Sequence, residues 1–87
     1  MNHLRISIAA NGPHISDSDR ICDYLTQHLG IEGLEYAPDE TYSTGPESTE
    51  IEVHLMAFKS TDSLVFVRVG SYIKSGNVVY IETSKSS

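Results

Sequence analysis

The sequence predicts an α+β fold: one amphipathic helix packed in two layers on a four- to five-stranded, mainly antiparallel sheet, in the order β-α-β-β-β-β. Three observations predict it. HLRISIAA (3–10) and EIEVHLMAF (50–58) alternate apolar and polar side chains with the period of two that a strand with one buried face requires. ISDSDRICDYLTQHLG (15–30) instead repeats its apolar residues at helical spacing and carries stop signals at its ends. SLVFVRV and GSYIKSGNVVYIET then give further β-runs separated by turn residues.

The 87 residues make a single domain, 1–87, because two cores do not fit in so short a chain, and a domain of this size buries only roughly 60 to 65% of its unfolded surface. Leu, Ile, Val and Phe together number 22, about a quarter of the chain, above the ~20% below which charged chains tend to stay unfolded. Cys22 is the single cysteine and forms no internal disulfide, which fits a reducing, cytoplasmic setting, the host-cell cytoplasm if a phage encodes the chain. MNHLRISIAANGPHIS has no basic run followed by a long apolar stretch, and no segment reaches membrane length, so neither secretion nor spanning is expected and the mature chain is expected to begin near Met1.

In the first strand, 3–10, Leu4, Ile6, Ile8 and Ala10 share one face, and Asn11-Gly12-Pro13 breaks it. Ser16 with Asp19 three residues later reads as a capping box, and Asp17 and Asp19 suit the positive end of the helix dipole. Ile21, Cys22, Leu25 and Leu29 form the buried stripe, Gly30 is the left-handed stop, and Ile31 packs back on the last turn. A short strand is expected near 33–37, ended by Pro38, followed by a long exposed loop. In 50–58, Ile51, Val53, Leu55 and Ala57 share one face; Met56 and Phe58 fall on the nominally wet one, so that something covers them or they form a contact patch. Lys59–Ser63 and Ser75-Gly76-Asn77 are turns, Gly70 marks a bulge or bend, and 83–87 is a tail expected to fray. A single helix covers one face of the sheet, so the other is polar or paired with another molecule.

Catalytic and metal chemistry find little support in the residue pattern. Cys22 lies on the apolar stripe, where a thiol packs rather than ionises as a nucleophile must. His3, His14, His28 and His54 show no zinc-like spacing; His3 and His54 would be neighbours only if their strands pair, and the Met1-Asn2-His3 start is a generic Cu(II) or Ni(II) chelator. The calcium-loop ladder of acids is missing as well. No catalytic residue, metal or cofactor is therefore expected. Six bases against twelve acids argue against direct nucleic-acid binding, although Arg5, Arg68 and Lys74 would make a small basic patch.

Charge is the most informative feature. The net charge is −6, and from Ile21 to Phe58 eight acids stand with no Lys or Arg. EYAPDETYSTGPESTEIE (35–52) holds Glu35, Asp39, Glu40, Glu47, Glu50 and Glu52, with Tyr36 and Tyr42 among them. A solvated loop that keeps a small protein in solution is one reading of this stretch. The sharper reading is a partner-binding surface of these eight residues, aromatic anchors within a charged ring, facing the basic surface of a larger protein. The expected function is then that of a small intracellular inhibitor or immunity-type protein, a nucleic-acid mimic that occludes a nuclease or a nucleic-acid-guided (CRISPR-type) complex, as phage anti-defence and toxin-neutralising proteins of similar size and acidity do. The alternative is a self-associating module that dimerises through VVYIET as an edge strand or through Met56 and Phe58 on a sheet face.

Overall fold

In a computed structural model, which describes residues 2–85 and the side chains of 4–83, the elements run β1 (Asn2–Ser7), α1 (Ser18–Leu29), β2 (Glu35–Tyr36), a 3-10 turn (Pro38–Glu40), β3 (Tyr42–Pro46), β4 (Ile51–Lys59), β5 (Leu64–Tyr72) and β6 (Val78–Lys85). One helix lies on one antiparallel sheet, the predicted α+β arrangement. The sheet has six strands rather than four or five, because the stretch expected as a loop after Pro38 contains β3.

Strand order is β1-β6-β5-β4-β2, with β3 also on β4. β2 pairs Glu35 and Tyr36 with Lys59 and Phe58, and β3 pairs Tyr42 to Pro46 with Leu55 to Glu52, so both lie along the same side of β4 as one interrupted edge. The interruption follows from Pro38, which has no N–H to give to a ladder. Thr41 repairs the gap: its Oγ1 accepts the amide of Ala57 at 2.9 Å and donates to the carbonyl of Ala37 at 3.1 Å.

β6 is an interior strand between β1 and β5, so VVYIET offers no free edge. Its pairing continues through Lys85, three residues into the tail expected to fray, while 86–87 lie outside the described residues. β1 ends at Ser7 rather than residue 10: Ile8 still donates to Val79 at 3.0 Å, but β6 begins at Val78 and leaves Ala9 and Ala10 without a ladder partner. β6 and β5 separate β1 from β4, so its His3 is not beside His54; the side chains of Asn2 and His3, and Met1 with the expected chelating start, are outside what is described.

The helix begins at Ser18, with Asp17 at the cap position and no side chain capping it. Ser16 does not serve as predicted, since its Oγ is held by the His14 ring at 2.9 Å and Asp17 accepts the backbone N–H of His14 at 3.0 Å. The other end matches expectation: Gly30 is left-handed at φ 69° and donates to the Thr26 carbonyl at 2.9 Å.

Ile21 and Leu25 of α1 are fully buried against Ile6, Met56, Phe58, Val67, Val69 and Ile81. The helix therefore covers the Met56 and Phe58 face of β4, and Ile51, Val53, Leu55 and Ala57 take the face without a second layer. Met56 and Phe58 are thus core, not a contact patch; Val53 and Ala57 are buried as well, although they lie on the face opposite the helix.

Candidate partner-binding surface

The acidic stretch occupies the β2–β3 edge and the turn into β4, and its carboxylates diverge. Glu35 stands at the edge opposite Lys59, and Asp39 and Glu40 project from the 3-10 turn. Glu47 and Glu50 lie in the β3–β4 turn, both exposed. Glu52 points instead to the helix side, where Ser43 Oγ donates to it at 3.1 Å and His54 Nε2 lies 3.9 Å away. Glu35, Asp39, Glu40, Glu47 and Glu50 form no ion pair with Lys or Arg among the described side chains; the described Arg–carboxylate pairs are Arg20 with Asp17 and Arg68 with Glu82.

The two tyrosines of the stretch part company. Tyr36 turns inward and packs its ring on Phe58, centroids 5.6 Å apart. Tyr42 is 55% exposed, on the uncovered face beside Leu55.

Of the two alternatives for the face without a helix, polar or paired with another molecule, the polar one does not hold, because the face is largely apolar. Besides Tyr42 it presents Leu64, Phe66 and Tyr72, 47, 43 and 46% exposed, so four of the five large exposed apolar side chains of the described residues share it. Alternation in SLVFVRV gives the two faces of β5 but not which of them the helix takes. A charged row crosses the same face: Arg5 and Arg68 flank Glu82 in register, with Arg68 Nη1 at 3.2 Å from Glu82 Oε1.

Tyr80 ties the face to the acidic turn. Its ring lies over Gly70, where a Cβ would collide with it, the Arg5 guanidinium stacks 4.3 Å from its centroid, and its hydroxyl donates to Glu47 Oε2 at 3.2 Å. A bulge in β6, where Tyr80 and Val78 pair with Gly70 and Ser71, sets this position. Burial, then the hydrogen bond and negative charge of Glu47, push the Tyr80 phenol above its ordinary value.

Where the acidic turn meets the β5–β6 turn, Thr49, Glu50, Tyr72, Ile73, Lys74 and Ser75 line a groove of about 400 Å³. The turns are joined through the Ile73 amide, which donates to the Glu50 carbonyl at 2.9 Å. Tyr72 and Ile73 are exposed apolar side chains that lie outside the acidic stretch.

Cys22 is half-buried, its thiol donating to the Leu34 carbonyl at 2.9 Å, and burial pushes its pKa up. A thiol held protonated is a poor nucleophile. Among the described residues no three His, Cys, Asp or Glu side chains cluster closely enough to hold a metal ion, and no helix is long and apolar enough to cross a membrane. Comparison with protein-family models, curated proteins and solved structures finds no match to this chain.

Proposed function

We propose that this chain is a small, non-enzymatic protein-binding module that lays the β2–β3 edge and the adjoining groove against the basic surface of a larger protein, acting as an inhibitor or immunity-type protein of a nuclease or nucleic-acid-binding complex. One observation carries the reading: Glu35, Asp39, Glu40, Glu47 and Glu50 stand along one sheet edge and its turn without an Arg or Lys ion pair among the described side chains. Carboxylates left hydrated in this way raise the rate of encounter with a cationic surface and fix its orientation. Tyr72 and Ile73 in the groove beside Glu50 supply the apolar contact that charge by itself does not give.

The test is affinity capture from the native host with the wild-type chain and with Asp39→Lys, Glu40→Lys and Glu50→Lys combined. All three side chains are exposed and make no described side-chain hydrogen bond, so the variant should keep its fold. Capture of one defined basic protein by the wild type, lost in the variant and competed by duplex DNA, is the expected result. Capture that survives triple reversal would sink the proposal.

A further inference from the structure

We propose that the groove between the acidic turn and the β5–β6 turn binds an arginine side chain of a partner protein, its guanidinium stacked on the Tyr72 ring and paired with Glu50. The inference rests on the reading that the acidic edge meets a basic protein, and it names the group which that protein places in the groove.

The groove offers both surfaces that an arginine needs. Tyr72 and Ile73 line it, 46 and 49% exposed, and give an aromatic face for the guanidinium and an aliphatic wall for the methylenes behind it. Glu50 lines it too and forms no ion pair with Lys or Arg among the described side chains. Its carbonyl, not its carboxylate, holds the Ile73 amide, so the acid group is left for a ligand. About 400 Å³ lies at the small end of ligand-sized cavities, which suits a single side chain rather than a helix or strand.

The same fold holds one of its own arginines in this way. The Arg5 guanidinium stacks 4.3 Å from the centroid of Tyr80, whose hydroxyl donates to Glu47 Oε2 at 3.2 Å. Tyr72 and Glu50 bring an aromatic face and a carboxylate to the neighbouring position. Tyr72 follows Gly70, which lies under the Tyr80 ring, by two residues on the same face of β5, and Glu50 shares the β3–β4 turn with Glu47.

Charge sets the sign of the occupant. The β3–β4 turn brings Glu47 and Glu50, against a single base, Lys74, which also lines the groove and forms no ion pair among the described side chains. An anion would meet two carboxylates there. This chain does not supply the cation itself, since all three of its arginines are engaged: Arg5 on Tyr80, Arg20 with Asp17 at 3.7 Å and Arg68 with Glu82 at 3.2 Å. Arginine is favoured over lysine because a planar guanidinium stacks on a ring while forking onto a carboxylate, whereas an ammonium is a more strongly hydrated point charge.

NMR titration of the full chain with the capped peptide acetyl-Gly-Arg-Gly-amide, and with its lysine and citrulline counterparts, decides the matter. The arginine peptide should shift the backbone amides of 49–50 and 72–75 and saturate in the millimolar range. The lysine peptide should bind roughly threefold more weakly, and the citrulline peptide, which keeps the shape and loses the charge, roughly tenfold. Glu50→Gln, an exposed position, should weaken the arginine peptide about threefold, and Lys74→Ala should tighten it about twofold by removing a like charge. Equal binding of arginine and lysine, shifts at Asp39 and Glu40 in place of the groove, indifference to Glu50→Gln, or weaker binding by Lys74→Ala overturns the proposal. Host capture that succeeds while the peptide misses the groove sinks this inference alone; a peptide that binds there while capture fails sinks only the inhibitor reading.

Discussion

At the scale of single residues, Tyr80 concentrates more of this molecule's physics than any acidic side chain. Its ring fills the space over Gly70, its face receives Arg5 and its hydroxyl reaches Glu47 across two strands. Gly70→Ala places a methyl group in the ring and should destabilise by about 1 to 3 kcal/mol in chemical denaturation. The alkaline side of the stability profile has a definite sign. Tyr80 is held protonated above its ordinary 10.0 in the folded chain, so the unfolded chain loses that proton first. The stability it contributes is fully present below pH ~10 and drains away as pH rises through the folded value. The fall in denaturation midpoint above pH ~10 should therefore be shallower in Tyr80→Phe than in the wild type. Cys22 gives a parallel check: raised by burial and donating to Leu34, it should react with iodoacetamide at neutral pH roughly tenfold more slowly than in the denatured chain.

At the scale of elements, the helix ends show where a sequence signature stops being informative. Gly30 is a stop by intrinsic backbone freedom, and its left-handed φ was legible from the sequence. The capping box at Ser16 and Asp19 was legible too, but the neighbouring loop claims the hydroxyl: His14 takes it before the helix does. Ser16→Ala should consequently leave stability within ~0.5 kcal/mol, where a true N-cap would cost about 1 kcal/mol, a difference that thermal unfolding resolves. The sheet edge teaches the same lesson. Pro38 ends a strand, as its missing N–H requires, yet the chain rejoins β4 four residues later because Thr41 satisfies the Ala57 amide that the proline leaves open. A Thr41→Val variant would orphan that amide and should cost about 1 to 3 kcal/mol in denaturant midpoint analysis.

At the scale of the whole molecule, the acids without an Arg or Lys partner among the described side chains and the exposed apolar side chains meet at the β2–β3 side of the sheet. The unpaired acids follow one edge, and the exposed aromatic and aliphatic side chains collect on the sheet face that the helix leaves bare. Association through the acidic edge should slow several-fold between low and physiological ionic strength, as stopped-flow mixing with the captured partner would show.

Period, turn chemistry and composition, all local properties, are enough to read the α+β class, the helix with its buried stripe, the hairpins of the C-terminal half and the concentration of acids in 35–52 from the chain alone. Tertiary structure decided which face of each strand is the inside. Ile51-Glu52-Val53 alternates in favour of one face, but Met56 and Phe58 are larger, and a lone helix covers the face on which it removes the most apolar surface from water. That choice put Ile51, Val53 and Leu55 on the face away from the helix, with Phe66 and Tyr42, turned Tyr36 inward onto Phe58, and sent Glu52 to the opposite side from Glu47. Alternation specifies two faces equally well; only the packing of α1 breaks the tie.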